Sequence, residues 1–151
     1  MTLYLINSEL DSCIEFNGHP LVIDGANVAF ENVLSEQKAK LLNLTLMEQY
    51  LELNGISDFL VLSDKSLRYK IDKQKKYCDL IKFDKRYFET PGGTQADHFI
   101  LQNAYKCNGY IVSNDNYRDF YAIYEKDWII EHRISFCIIN NEIYLDKLIC
   151  K

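Results

Sequence analysis

Short apolar runs that alternate with longer helical patterns constrain the fold of this chain more than any other sequence feature. Helical spacing covers residues 35–54, with Ser35 as a suitable N-cap, and a second helix is expected to open at Thr94. The alternation predicts an α/β sandwich with a mainly parallel central sheet. Three of the runs have the length and composition of buried strands: Pro20-Leu21-Val22-Ile23, Phe59-Leu60-Val61-Leu62 and Tyr110-Ile111-Val112.

Shorter segments complete the predicted element order. Residues 65–86 are expected to form one or two short helices, and residues 87–89 a further short strand. Residues 116–124 are expected to be helical, and residues 128–130 to begin another short helix or turn. Asn140-Asn141 separates two strand-like segments, 134–139 and 142–145, which predicts a hairpin that could form an antiparallel edge near the C-terminus.

Length and composition favour one domain over residues 1–151, with residues 1–19 as an N-terminal extension packed on it. Of the 151 residues, 48% are hydrophobic, enough for a sizeable core. No apolar run reaches the ~18 residues of a membrane span, so no membrane association is expected. The five cysteines are odd in number and widely spaced. They are interpreted as reduced thiols of a cytoplasmic protein, which argues against a zinc site.

The net charge of −5 does not by itself favour a nucleic-acid partner, but its distribution is uneven. Nine basic and three acidic residues lie between residues 65 and 86, a local net charge of +6. A basic segment on an acidic body can attract phosphate groups. The pattern is equally typical of a solvated helix face, and both interpretations stay open.

Acidic residues follow the predicted strands. Asp24 comes directly after the first strand, and Asp115 lies three residues beyond Val112, with Asp119 four residues further on. Asp97 lies in the first turn of the helix that opens at Thr94. In open α/β sheets, ligands bind beyond the carboxyl ends of the strands. We therefore expect these acids to meet at one edge of the sheet.

Each acid also has a purely structural interpretation, which is favoured when the acids are taken singly. Asp24-Gly25 suits a turn, Thr94 and Asp97 suit a capping box, and Asp115 suits a helix cap. Asp119 could complement the positive end of the helix. Together, carboxylates ~4 Å apart would repel by about 4 kcal/mol at an effective dielectric of about 20. A hard divalent cation relieves this repulsion, which points to Mg²⁺, with Mn²⁺ able to substitute. Such an ion activates water and polarises a phosphodiester.

Five sequence blocks now resemble a known family, the Regnase-type NYN/PIN-like ribonuclease domain. The resemblance covers residues 20–140, with the blocks in the family's order and spacing. The block over residues 111–119 is the most specific of the five. They are "VIDGANVA" (22–29), "TPGG" (90–93), "ADHFIL" (96–101), "IVSNDNYRD" (111–119) and "WIIEHRISF" (128–136).

The resemblance implies a PIN-like three-layer α/β/α sandwich and a Mg²⁺-dependent endoribonuclease. Such an enzyme hydrolyses phosphodiester bonds of single-stranded or loop RNA through a water activated by the metal. Asn27 would orient that water or the phosphate, and Ser113 and Asn114 would support the last two acids and border the substrate. The family's domains can self-associate, so a homodimer is an option. The acids carried over as catalytic and metal-binding are Asp24, Asp97, Asp115 and Asp119.

The chain departs from the family at three places. Ala96 stands where animal members have a second aspartate beside Asp97, which implies weaker metal binding. The loop over residues 90–97 lacks the basic residues of those proteins, so the substrate grip is assigned to Lys82, Lys85, Arg86 and Arg118. No zinc finger is expected.

These departures keep two rival functions open. The first is a catalytically weak RNA-binding or protein-interaction module. The second is another phosphoryl-transfer enzyme, a DNA nuclease or a phosphatase. Histidine can also serve in metal-free RNA cleavage, but His19, His98 and His132 lie in unrelated settings and are interpreted as structural or surface groups.

Overall fold

The computed structural model describes residues 13–15 and 21–150. Most of the expected N-terminal extension, residues 1–12 and 16–19, lies outside the described residues. The elements in chain order are β1 (Cys13–Glu15), β2 (Leu21–Asp24), α1 (Gly25–Ala29), α2 (Leu41–Leu53), β3 (Phe59–Ser63), α3 (Leu67–Lys70), α4 (Gln74–Phe83), β4 (Tyr87–Glu89), α5 (Ala96–Lys106), β5 (Tyr110–Val112), a 3₁₀ turn (Arg118–Phe120), α6 (Tyr121–Tyr124), α7 (Lys126–His132), β6 (Arg133–Ile134), β7 (Phe136–Ile139), β8 (Glu142–Leu145) and β9 (Leu148–Cys150).

A five-stranded parallel sheet in the order β4-β3-β2-β5-β6 forms the centre of the fold. Leu21 pairs in register with Phe59 on one side and with Tyr110 on the other. The first three strands are added in one direction, and the chain then crosses to the opposite side of β2 to form β5. Separately, β1 pairs in parallel with β9, which joins the two ends of the described chain.

Two apolar cores lie against the two faces of this sheet, because successive strand residues point to opposite sides. Leu21 and Ile23 belong to a core built with α1, α2, α3, α4 and the β7-β8 hairpin. Val22, Leu62 and Ile111 belong to a second core built with α5, α6 and α7. The predicted α/β/α sandwich with a mainly parallel sheet is therefore confirmed.

The predicted hairpin is also present and antiparallel, with β7 and β8 pairing from Phe136↔Leu145 to Ile139↔Glu142. Asn140 and Asn141 both have positive φ, at 51° and 60°. Two consecutive left-handed residues define the turn whose twist matches that of the flanking strands, and asparagine tolerates this conformation well. The hairpin is a separate two-stranded unit that packs on the first core instead of extending the central sheet.

Helix α2 begins at Leu41, six residues later than the Ser35 start that the sequence predicts. The reason is a long-range contact: Ala39 forms a parallel bridge with Ile71, which holds the backbone before Leu41 extended. The carboxylate of Asp72 then accepts a hydrogen bond from the Leu41 amide at 2.8 Å. A side chain 31 positions away thus supplies the cap that was assigned to Ser35.

No helix within the described residues 13–15 and 21–150 is long and apolar enough to cross a membrane.

Candidate active site

The strand order creates a crevice between β2 and β5 at their carboxyl ends. The chain leaves β2 toward β3 on one side and reaches β5 on the other, so the connections diverge between these two strands. Ligands of open α/β sheets bind at such a switch point. Asp24 ends β2, and Ser113, Asn114 and Asp115 follow β5. The topology therefore brings together two of the acidic segments that the sequence singles out.

Asp24 lies at the bottom of this crevice and is only 5% exposed. Its Oδ2 accepts hydrogen bonds from the hydroxyl groups of Ser113 at 3.0 Å and Tyr117 at 2.7 Å. Its Oδ1 accepts the amide of Asn27 at 3.2 Å, which caps α1. Burial raises the pKa of Asp24 despite these bonds, and repulsion from Asp115 raises it further. Asp24 thus has a structural role as the N-cap of α1, instead of the turn role that the sequence suggests, and it holds this role next to other acids.

Gly25 is required next to this aspartate because the neighbouring strand passes very close. A Cβ at this position would collide with Oγ of Ser63, the last residue of β3, and would approach Val61 and the Leu62 carbonyl. The "DGAN" sequence therefore combines an acid at a strand end with a glycine that lets α1 start directly above β3. This close approach fixes the position of Asp24 relative to the sheet.

The loop after β5 is held by a continuous hydrogen-bond network. The Asn114 amide donates to the side-chain oxygen of Asn27 at 2.8 Å, which links the two strand ends. The Asn114 side chain donates to the Phe136 carbonyl and accepts from the Phe136 amide, at 2.9 and 3.0 Å. Arg133 donates to the Ser113 carbonyl at 3.0 Å. Asn27 and Asn114 therefore act through the backbone of this loop in the free protein, and they rigidify the acids beside them.

Asp115 and Asp119 stand exposed at the mouth of the crevice. The carboxylate of Asp115 accepts a hydrogen bond from the amide of Tyr117 at 2.8 Å and closes a local turn. The helix cap suggested for Asp115 is absent, because the N-cap residue of the 3₁₀ segment is Tyr117. Tyr117 has a positive φ of 51°, and the helical segment starts only at Arg118. Only residues 118–124 of the predicted helix 116–124 are helical, so Asp115 and Asp119 do not lie one turn apart on a regular helix.

Asp97 reaches the crevice from the first turn of α5, on the same side of the sheet as Asp24. The pKa of Asp97 is raised to about 6. Burial is the largest cause, and repulsion from Asp24, Asp115, Asp64 and Asp119 adds to it in decreasing order. The predicted capping box is absent: α5 begins at Ala96, and its N-cap residue Gln95 makes no side-chain cap. The carboxylate of Asp97 lies within the electrostatic reach of all the other acids at this edge.

The sequence interpretation missed two residues of this site. Asp64 directly follows β3, and its charge acts on Asp97 more strongly than that of Asp119. The same signal that identified Asp24, an acid at a strand end, was present at Asp64. Tyr117 is 2% exposed and donates its hydroxyl to Asp24. No local signal marks that role, because it depends on a contact across 93 positions.

The proposed substrate residues separate into two groups. Arg118 lies beside the acids and lines an open pocket of about 330 Å³ together with Asp97, Asp115, Asp119 and Phe120. The chain returns through α4 toward the amino ends of the strands. At the end of α4 and just before β4 lie Lys82, Lys85 and Arg86. Arg86 is also paired with Glu48, Glu52 and Asp84 at 2.8–3.0 Å. The structure does not bring these three residues to the acidic crevice.

The donor chemistry of the crevice fits a hard divalent cation. The groups are carboxylate oxygens, and their mutual repulsion on Asp97 is what such an ion neutralises. Within residues 21–147, no three acidic, histidine or cysteine side chains converge as a complete ligand set. An ion held by one or two carboxylates, with water and a substrate phosphate as further ligands, matches the way Mg²⁺ is usually bound.

Fold and site together define an α/β sandwich domain with acids at the carboxyl edge of a parallel sheet. The chain belongs to the family described as "Zc3h12a-like Ribonuclease NYN domain", whose sequence profile matches residues 17–148. The predicted resemblance is confirmed. No curated protein matches the chain in a sequence comparison.

Two solved structures of one protein share the fold of this chain at low sequence identity. A crystal structure of nuclear proteinaceous RNase P 2 (PRORP2) from A. thaliana has a TM-score of 0.69 at 20% identity, covering 85% of this chain and 29% of that chain. A second structure of Arabidopsis thaliana PRORP2 has a TM-score of 0.66, 20% identity and coverages of 84% and 29%. A structure of the PIN domain endonuclease Utp24 matches with a TM-score of 0.42 at 16% identity, covering 87% of this chain and 93% of that chain. The chain spans less than a third of the PRORP2 structures.

Proposed function

We propose that this protein is a metal-dependent endoribonuclease that hydrolyses phosphodiester bonds of single-stranded or loop RNA. The observation that carries the proposal is that Asp24, Asp97 and Asp115 lie within electrostatic reach of one another at the switch point of the sheet. The chain that places them there belongs to a ribonuclease family. Carboxylates gathered at this density are costly without a cation. Metal-dependent cleavage of a phosphodiester accounts for them, since such an ion supplies an activated water and stabilises charge on the phosphate.

Each side chain has a defined part in this proposal. Asp97 and Asp115, which are accessible from the pocket, would hold Mg²⁺ or Mn²⁺, with Asp24 behind them and Asp119 at the rim. Ser113 and Tyr117 keep the Asp24 carboxylate oriented through their hydroxyl groups. Asn27 and Asn114 hold the two strand ends together. Arg118, which lines the pocket, would pair with a phosphate of the substrate.

The test compares the wild type with Asp115→Asn and Asp24→Asn on labelled RNA and DNA oligonucleotides, with Mn²⁺, with Mg²⁺ and with EDTA. We expect the wild type to cut unstructured RNA only with metal, and both variants to lose at least a hundredfold in rate. Asp79→Asn, an exposed aspartate on α4, is the matched control and should cut normally. Normal cutting by both site variants would show that the acids are not catalytic.

A second candidate is an RNA-binding module with little turnover. Two observations favour it: Ala96 replaces an acid, and both oxygens of Asp24 already accept hydrogen bonds. This candidate predicts RNA binding in EDTA with no cutting on addition of metal. Preferred cutting of DNA or of small phosphate esters in the same assay would instead identify another phosphoryl-transfer enzyme.

Two further expectations accompany the proposal. A cytoplasmic location agrees with the reduced state expected of the thiols. Self-association to a homodimer is tested by sedimentation of the purified protein over a range of concentrations, where a concentration-dependent increase in mass is expected.

A further inference from the structure

A line of aromatic rings starts from the acidic pocket and runs along α5, the 3₁₀ turn, α6 and α7. We call it the aromatic track. Its first ring, Phe120, lines the pocket that contains Asp97 and Asp119. Neighbouring centroids in the track are 4.3–6.3 Å apart, and its members are His98, Tyr105, Phe120, Tyr124, Trp128 and His132.

The geometry of the track differs from that of a buried core. His98 lies against Phe120 at 28° between ring planes, and Trp128 stacks on His132 at 12°. Tyr105 bridges Tyr124 and Trp128 and keeps 46% of its surface exposed. His98 is exposed as well. Tyr124 is buried and anchors the helices, while His98 and Tyr105 expose part of their rings to solvent from a rigid support.

The length of the track suits a few nucleotides. His98 and Tyr105 are seven residues apart on one face of α5, which is about 10 Å along the helix axis. That distance corresponds to about three nucleotides of a stacked strand at ~3.4 Å each. Because Phe120 belongs to both the track and the acidic pocket, a strand lying on these rings would lead directly to the proposed cleavage position.

The charges around the track favour bases over phosphates as the bound groups. Lys106 and Lys126 are offset by Glu125 and Asp127, and the pocket itself is acidic. A surface without net positive charge cannot hold RNA through its backbone alone. Aromatic rings that stack on unpaired bases provide affinity of another kind, which tolerates any sequence and requires a single strand.

We propose that the aromatic track is a binding site for the bases of single-stranded RNA next to the cleavage position. This inference rests on the proposed function, because the track is placed by reference to the acidic pocket. It assigns substrate grip to stacking on α5–α7, on the opposite face of the sheet from α4 and its basic residues. Selection of single strands over duplexes then follows from the need to expose base faces.

The chain contains one tryptophan, Trp128, so its fluorescence reports on this site alone. The experiment titrates the protein in EDTA, where the proposed cutting is off, with a short unstructured RNA, the same RNA as a duplex, and inorganic polyphosphate. We expect the single strand to quench Trp128, and the duplex and polyphosphate to leave it unchanged. Quenching by polyphosphate equal to that by RNA, or no quenching by the single strand, would overturn the proposal.

Variants identify stacking as the cause. Tyr105→Ala is expected to weaken single-strand affinity roughly tenfold, the loss typical of one base–aromatic stack. Tyr105→Phe, which keeps the ring, should retain wild-type affinity. Tyr69→Ala is the matched control on the other face of the sheet, since Tyr69 is 69% exposed on α3. If Tyr105→Ala and Tyr69→Ala bind equally well, the proposal is wrong.

The outcomes for binding and for cutting are separable. Quenching by single-stranded RNA without any metal-dependent cutting would remove the proposed enzyme activity and support the aromatic track as a binding site. Cutting without quenching, and with normal rates in Tyr105→Ala, would support the enzyme and remove the track.

Discussion

At the scale of single residues, the protonation of Asp97 is the property most characteristic of this site. Its carboxyl is half-buried and lies within the field of four other acids, which raises its pKa from 3.8 to about 6. A folded-state pKa above that of the unfolded chain means that the folded protein binds more protons between these two values. In the absence of metal, the free energy of unfolding therefore falls as pH rises from about 4 to about 6.

The variant Asp97→Asn tests this effect, because it removes the titrating group. We expect Asp97→Asn to unfold with a free energy about 1–2 kcal/mol higher than the wild type above pH 6 in EDTA, after allowance for solvent screening of a partly exposed group. Near pH 4 the two proteins should be closely similar. Urea denaturation across this pH range measures the difference.

The control for this prediction is Asp79→Asn, whose stability curve should run parallel to that of the wild type. Addition of Mn²⁺ should reduce the gap between wild type and Asp97→Asn, since a bound cation replaces the repulsion with attraction. Parallel pH curves for wild type and Asp97→Asn would show that Asp97 does not titrate in the field of the other acids.

At the scale of elements, the end of α7 shows how a short helix is stabilised by a distant residue. Nζ of Lys147 donates to the carbonyl groups of Ile130, Glu131 and Arg133 at 3.0, 2.8 and 2.7 Å. These carbonyls lie in the last turn of the helix and just beyond it, where intrahelical donors are missing. A positive charge there also complements the helix dipole. Lys147 thus ties the C-terminal segment to the α7–β6 junction.

Replacement of this lysine should be costly. We expect Lys147→Met to lower the free energy of unfolding by about 2 kcal/mol, because three carbonyl groups lose a charged donor. Thermal and urea denaturation measure this loss. Lys75→Met, at an exposed position of α4, should change stability by less than about 0.5 kcal/mol. Equal stabilities for the two variants would refute the capping role.

Element boundaries also show where local sequence signals fail. Ser35 has the right chemistry for an N-cap, but the bridge between Ala39 and Ile71 delays α2 to Leu41. Thr94 and Asp97 fit a capping box, but α5 starts at Ala96 without it. In both cases a tertiary contact or the local loop geometry outweighs a preference of about 1 kcal/mol. The hairpin at Asn140-Asn141 was predictable because the turn conformation itself selects those residues.

At the scale of the whole molecule, the strand order decides which charged residues meet. Parallel connections carry the chain back to the amino ends of the strands after each carboxyl end, so the end of α4 lies toward the opposite edge of the sheet from the crevice between β2 and β5. Lys82 and Lys85 are therefore distant from the acids, although the segment 65–86 is the most basic in the chain. Arg118 alone of the four predicted basic substrate residues lines the acidic pocket.

This arrangement predicts opposite outcomes for two sets of substitutions. The double variant Lys82→Gln/Lys85→Gln should cut RNA within twofold of the wild type at physiological salt. Arg118→Gln should raise KM about tenfold, because one charge-assisted phosphate contact is lost. Initial rates over a range of RNA concentrations distinguish the two. A larger loss in the double variant would show that the substrate reaches across the sheet to the end of α4.

The sequence by itself determined the α/β class, the four strand-end or helix-start acids and the family, because these depend on local periodicity and on short motifs in a fixed order. Only the tertiary structure decided that Asp24 is buried beneath Tyr117, that Asp64 joins the cluster, and that Lys82, Lys85 and Arg86 lie elsewhere. These features depend on strand order and on contacts between residues tens of positions apart. A local pattern does not encode such contacts, since the packing of the whole sheet selects them.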